Sequence, residues 1–482
     1  MNPDAAPTGR SAADRPRAQA PTSLCWVLVA AVLVLVFDPG IMSNDSVQSL
    51  KQARAFAFTD WHPPVMAILW SVLDRIVPGP AGMLVAQAVL YSFAAARLCA
   101  TAFPTLSERT GHWPVVIAFS LFPPAMSIVG MIWKDVWMSG FLMLALSYLF
   151  SALRARGPTG AWRPVAMVVA CCLAATLFRH NALAATAGLL AGAAYHVLGR
   201  MAGFRRLAAA CVAGLVMSVL LAGLASAFNR LVAEPAQITT ALRLYDIAGI
   251  VANSDAPADA AALALSGPAV LTTDRSRFLD NVLRSYTPAS ATPVVSPRGR
   301  NAPFSVQIYR RHDAEGVARV WTTMIGRYPL AYARHRLRVT ACLLQLCDRA
   351  AWIQHTYFLN ERYAFDASVQ PDTVQWAARK VWLSPSLAIL YMPAFWFLAA
   401  LAGGVVGLLR NSPSPLFFMA ASALGLLASL VLTSPVESFR YVHWIMLLGW
   451  TTCFLLLEHR MSRAPGAARE NARGQDAAGI RR

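Results

Sequence analysis

Along the chain, apolar windows almost free of charge alternate with short basic turns. Windows of about 20 apolar residues match helices that cross a hydrocarbon layer roughly 30 Å thick. They fall at 24–41, 62–77, 82–103, 113–132, 136–153, 165–178, 182–198, 207–228, 386–409, 415–433 and 441–457. The pattern predicts an all-α polytopic membrane protein. If every window crossed, the two ends would lie on opposite sides of the bilayer. Yet Arg10, Arg15 and Arg17 precede the first window and six arginines follow from Arg460, and such residues collect on the cytoplasmic side. The window that does not cross is 62–77: it is short, opens His62-Pro63-Pro64 and contains Asp74 and Arg75. It suits a juxtamembrane helix on the outer surface. About ten transmembrane helices remain, and Arg109, Arg154, Arg156, Arg163, Arg200, Arg205, Arg206, Arg410 and the tail then share the cytoplasmic side. Window 165–178, the shortest, either crosses or forms a bent re-entrant pair with 182–198; both versions keep the ends inside.

The organisation that follows has five parts. Residues 1–23 form a disordered cytoplasmic tail, and 24–228 a transmembrane bundle with the juxtamembrane helix near 62–77. Residues 229–385 form one large periplasmic loop domain, 386–457 the C-terminal transmembrane helices, and 458–482 a basic cytoplasmic tail. Within 320–354 apolar residues recur every three to four positions on both sides of Pro329, predicting one or two amphipathic helices packed on the bilayer or the bundle.

Composition sharpens this picture. With 57% apolar and 14% charged residues the chain is not an ordinary soluble protein. A net charge of +18 would suggest nucleic acid elsewhere, but here the basic residues are dispersed between apolar spans, so the partners expected are membrane lipids and no nucleic acid. Cys25, Cys99, Cys171, Cys172, Cys211 and Cys453 lie in or beside apolar spans and read as small buried hydrophobes. Cys342 and Cys347 lie in the long loop; five apart on a helix, they point about 140° from each other, which argues against an intrahelical disulfide.

The predicted topology gathers the unusual polar residues on the outer face. Asp45 follows the first span, and Asp60 and His62 precede the surface helix. Lys134 and Asp135 occupy one outer turn, Arg179, His180 and Asn181 the next, and Glu437, Arg440, Tyr441 and His443 the last. Each has a plain alternative: an aspartate decorating the interface, a turn-capping Lys134–Asp135 pair, arginines snorkelling to lipid phosphate, or histidines that cap or pack. Their convergence from separate turns points further, because ionisable groups at membrane depth are costly. Arginine forks and a lysine can hold a phosphate at headgroup level, while a carboxylate takes a proton from a hydroxyl. That combination fits transfer of a group from a lipid phosphate to an alcohol.

At these residues the chain resembles the polytopic GT-C glycosyltransferases that use polyprenyl-phosphate-linked sugars. The elements that carry the resemblance are Met42-Ser43-Asn44-Asp45-Ser46 after the first span and Asp60-Trp61-His62-Pro63-Pro64 opening the juxtamembrane helix. Trp133-Lys134-Asp135, Phe178-Arg179-His180-Asn181 and Glu437-Ser438-Phe439-Arg440-Tyr441 look like blocks of uncharacterised bacterial branches. The segment 321–329, followed by Tyr332 and Arg336, looks like the amphipathic part of that superfamily's large loop. The resemblance implies Asp45 as base, with Asp60 or Asp135 assisting or holding Mg²⁺ or Mn²⁺. It implies Lys134, Arg179, Arg440 and Tyr441 on the donor phosphate, His62 beside the acceptor, and His180, Asn181 and Glu437 elsewhere in the site. The loop contains no Trp-Trp-Asp signature of oligosaccharyltransferases. The expected function is an inverting glycosyltransferase of the bacterial inner membrane, serving a lipid, polysaccharide or protein acceptor of the cell envelope. An O-antigen ligase or polymerase would use a pyrophosphate-linked glycan instead, and a transporter or lipid-carrier translocase would carry midplane charges or repeated halves.

Overall fold

The computed structural model describes residues 22–155, 157–199, 201–266, 274–295, 303–304, 311–347, 385–409 and 414–463. The predicted N-terminal tail, save 22–23, lies outside the described residues, as do 348–354 of the amphipathic stretch and 464–482 of the basic tail.

Helix α1 (Thr22–Phe37) realises the first window but stops short of its end. The next helix, α2 (Asn44–Ala55), has no hydropathy signal because its sequence is polar. It forms because Ser43 caps it and Ser46 closes a capping box, and because Asp45 suits the positive end of the helix. Window 62–77 becomes the short α3 (Val65–Ile76), with Met66, Ala67 and Trp70 buried and Val72 and Ile76 exposed. The two surface helices are tied by a fork from Arg54 to Asp74, at 2.8 and 2.9 Å.

After α4 (Ala81–Ala102) the expected single span over 113–132 is instead broken. Helix α5 (Pro104–Thr110) precedes the window, which itself holds α6 (His112–Ser120) and α7 (Pro123–Ser127), followed by a turn and a short extended stretch. Pro123 and Pro124 cause the break: Phe122, immediately before them, takes φ −55° and ψ 117°, outside the helical region. Hydropathy is blind to this. The unwound backbone is satisfied by protein, as it must be inside a bundle. Gln87 donates to the carbonyls of Val129 (2.5 Å) and Met131 (2.9 Å), the Ile41 N–H reaches Gly130 (3.0 Å), and the Ile132 N–H reaches Ile41 (3.0 Å).

Helix α8 (Lys134–Arg154) then packs along α9 (Gly157–Phe178). Because α9 continues through Pro164, it is 22 residues long rather than the 14-residue window, so it needs no re-entrant partner. It is followed by α10 (Ala182–Val197) and the 30-residue α11 (Gly203–Val232).

The loop domain comprises α12 (Ile238–Asn253), α13 (Pro257–Leu265), α14 (Phe278–Ser285), α15 (Thr292–Val295), α16 (Arg311–Arg327) and α17 (Pro329–Leu343). It has its own core, in which Tyr245, Ile247, Ile250, Phe278, Val282, Val317 and Met324 are buried. The predicted amphipathic stretch is two helices divided at Pro329, which starts α17 where its missing N–H is harmless. Both pack on α12. A disulfide joins Cys342 to Cys347 across a Cα separation of 4.7 Å, contrary to the helical argument. The reason is local: α17 ends at Leu343 and Gln345 takes a left-handed φ of 58°, which folds the chain back.

A 3-10 turn (Pro385–Tyr391) leads into α18 (Pro393–Leu409), and α19 (Pro415–Thr433) and α20 (His443–Arg463) complete the bundle. Helix α17 also touches α19. Residues 458–463 of the predicted tail are therefore helical, and Glu458 caps α5 by accepting from Thr105 N (2.9 Å) and Leu106 N (2.7 Å). Glycines let the helices meet closely: a Cβ on Gly188 of α10 would lie 2.4 Å from the backbone nitrogen of Ser422, and one on Gly214 of α11 would lie 2.5 Å from that of Ala191. Among the described residues six helices are long and apolar enough to cross a membrane, and α1, α10 and α18 are shorter apolar helices. The chain is a multi-pass, all-α membrane protein.

Candidate active site

Three helix starts and one helix end deliver the site. Asp45 lies in the first turn of α2, Lys134 and Asp135 open α8, Arg179 follows α9, and Arg440 sits in the 3-10 turn (Phe439–Val442) before α20. Two bonds fasten the first two together: Trp133 Nε1 donates to Ser43 Oγ at 2.8 Å and Ser46 Oγ to the Ile132 carbonyl at 2.7 Å.

The charged groups of Asp45, His62, Lys134, Asp135, Arg179 and Arg440 meet. Arg440 Nη2 lies 2.8 Å from Asp45 Oδ2, and His62 Nε2 lies 3.5 Å from Asp45 Oδ1. Lys134 Nζ contacts His62 Nδ1. Asp135 is 0% exposed; it pairs with Arg179 Nη1, and Arg440 Nε stands 3.9 Å away. Both guanidinium groups also lie over aromatic faces, Arg179 over Tyr441 at 4.3 Å and Arg440 over Trp133 at 4.7 Å, which supports a cation in a partly desolvated place.

These groups border a cavity of about 720 Å³. Asp45, His62, Lys134, Arg179, His180, Asn181, Arg440 and Tyr441 line one side, and the loop domain closes the other with Thr239, Leu242, Ala291, Thr292 and Val295. Sequence reasoning missed this second wall, whose small and apolar residues carry no chemical signature. Trp61 and Trp133 also line it.

No family model matches the chain, and no curated protein does. Among solved structures it is similar to ArnT from Cupriavidus metallidurans. The undecaprenyl phosphate-bound form aligns over 89% of this chain and 77% of that one, at 16% identity and a TM-score of 0.32. The apo form aligns over 89% and 76%, at 16% identity and a TM-score of 0.30. At such low scores the likeness carries no residue role across.

Asp60 and Glu437 stand apart from the lining. The Asp60 carboxylate accepts from Ala236 N at 2.5 Å, and its own N–H donates to the Glu234 carbonyl at 2.9 Å, pinning the first loop to the start of the loop domain. With Asp60 engaged by backbone and Asp135 by guanidinium groups, a shared Mg²⁺ or Mn²⁺ site with Asp45 is a poor fit. His443 is buried inside the bundle, with Ser139 Oγ and the Ala125 carbonyl 3.0 and 3.1 Å from its ring nitrogens.

Electrostatics separates the roles. Burial alone would raise the Asp45 carboxyl, but Arg440, the His62 hydrogen bond and Lys134 outweigh it and hold it well below the usual carboxylate range. Burial and then Lys134 push the His62 imidazole below its ordinary value, against the raising effect of Asp45. Glu437, buried with one carboxylate oxygen 3.7 Å from Cys347 Sγ, is pushed up to about 7 by desolvation. The folded protein thus holds that proton up to about 7, whereas an ordinary glutamate releases it at 4.5. Stability from this group is full below the lower value and is lost as pH rises through the higher one. Glu437→Gln is expected to flatten that decline, read as unfolding midpoints in detergent between about pH 5 and pH 8.

Proposed function

We propose that this protein is an inverting glycosyltransferase that takes a sugar from a polyprenyl-phosphate carrier on the periplasmic face of a bacterial inner membrane, with both chain ends in the cytoplasm. The observation that supports this most is the meeting of Asp45, Lys134, Arg179 and Arg440 at one cavity between the bundle and the loop domain. A lipid phosphate has a hydrophobic tail and an anionic head, and this site sets cations at the end of apolar helices.

The acceptor hydroxyl attacks the anomeric carbon, the bond from that carbon to the phosphate oxygen breaks, and the hydroxyl proton passes to Asp45. The leaving phosphate is already stable as an anion, so Lys134, Arg179 and Arg440 need only hold it. Without ligand, Arg440 is the ion-pair partner of Asp45. A phosphate entering the cavity competes for that guanidinium, and Asp45 becomes more basic as its counter-charge turns away. Donor binding thereby readies the base.

The decisive measurement is mass spectrometry of lipid copurifying with the protein. A polyprenyl monophosphate, free or carrying one sugar, supports the proposal. A pyrophosphate-linked glycan would replace it with a ligase or polymerase reading, and solute uptake into sealed vesicles without added acceptor would replace it with transport.

A further inference from the structure

The loop domain contains a buried charged cluster that the proposed chemistry does not use. Asp246 of α12 is 1% exposed, and Arg336 of α17 is 2% exposed. Asp246 Oδ1 lies 2.5 Å from Arg336 Nη2 and 3.1 Å from His335 Nε2, while Trp321 Nε1 donates to Asp246 Oδ2 at 2.8 Å. His335 is braced in turn by the Tyr286 hydroxyl at 3.0 Å. The carboxylate is thus held from three sides.

Arg336 does not end at Asp246. Its other arm leaves the domain, and Nη1 donates to the Ser434 carbonyl at 3.0 Å. Ser434 begins the non-helical segment that joins α19 to the 3-10 turn bearing Arg440. Two backbone bonds attach that segment to the same domain, Ala291 N to the Pro435 carbonyl and Glu437 N to the Ala289 carbonyl, each 2.8 Å. A planar guanidinium bound by a carboxylate on one arm points its other arm in a set direction, which an ammonium on a flexible stem does not. A buried ion pair is also not needed to fill a core, since apolar residues of similar volume do so as well or better. Its polar character is explained by the carbonyl it reaches outside the domain.

We infer that Asp246 and Arg336 are positioning residues for the cavity: they fix segment 434–438 and so set Arg440 and Tyr441 where the carrier phosphate binds. The inference rests on the phosphate-binding reading of Arg440. Asp246 aims the guanidinium, the guanidinium holds Ser434, and the segment delivers the cation.

The test measures undecaprenyl phosphate binding to the purified full-length protein in detergent, with unfolding midpoints and hydrogen exchange of residues 434–441 on the same samples. The double variant Asp246→Leu/Arg336→Met removes both charges together, leaving neither stranded. Arg336→Lys keeps the charge and loses the fork. Both are expected to stay folded, to exchange faster over 434–441 and to bind roughly ten-fold more weakly, the scale of one charge-assisted contact. Arg440→Gln is the control. If Arg440→Gln weakens binding while both folded variants bind and exchange like wild type, the positioning role is overturned. If Arg440→Gln binds normally, it is the phosphate reading that fails, and faster or unchanged exchange over 434–441 alone upholds or overturns the strut. Should the double variant not fold, Arg336→Lys decides in the same way.

Discussion

Asp45→Asn is expected to reduce sugar transfer by about 10²–10⁴-fold, the usual contribution of a positioned general base. The substitution keeps the side-chain shape but removes the oxygen that receives the acceptor proton. Carrier affinity is expected to hold or rise, because Arg440 loses the carboxylate 2.8 Å away that competes with phosphate for it. The result therefore falls on kcat rather than KM, which marks an interaction made only in the transition state. Transfer by the purified protein in proteoliposomes, with binding of undecaprenyl phosphate measured alongside, checks both halves. A folded variant with full turnover would remove Asp45 from the mechanism.

Asp135→Leu has the largest expected effect on stability. Asp135 is 0% exposed, and its two neighbours are guanidinium groups, of which Arg179 is itself 7% exposed. Removing one partner of a buried pair strands a charge and costs about 3–5 kcal/mol. Arg440 retains Asp45, so the damage concentrates at Arg179. The expected outcome is a much lower unfolding midpoint and, in the surviving folded fraction, weaker carrier binding because Arg179 is no longer aimed. A wild-type midpoint would show that the arginines find other partners, and Asp135 would lose its place as their organiser.

Hydropathy found the spans because burial in lipid acts on whole windows of sequence. It also set 62–77 apart from the crossings, since two charges near the end of a short apolar run make a poor crossing, and the helix formed there is only 12 residues long. It could not find α2, whose order comes from a cap and from the Arg54–Asp74 fork rather than from apolar content. Nor could it see the interruption at Phe122, because Pro123 and Pro124 act on the backbone dihedrals of the residue before them, which an average over a window does not register. The disulfide was misjudged for a related reason: spacing on a helix applies only while the helix lasts, and α17 ends between the two cysteines.

Chain order alone pointed to the membrane class and to a common face for Asp45, Lys134, Arg179 and Arg440, because alternate turns of successive crossings return to the same face; that the four meet at one cavity was decided by tertiary packing. The division of labour among the charged groups was decided only in three dimensions. Lys134 and Asp135 are adjacent, but neighbours on a helix point about 100° apart. Lys134 therefore faces the cavity, while Asp135 turns into the bundle against two arginines. Asp60 looks like a second acid beside His62, yet its carboxylate is engaged by a backbone N–H arriving from residue 236. Which side chain meets which partner depends on long-range packing, and no local pattern encodes it.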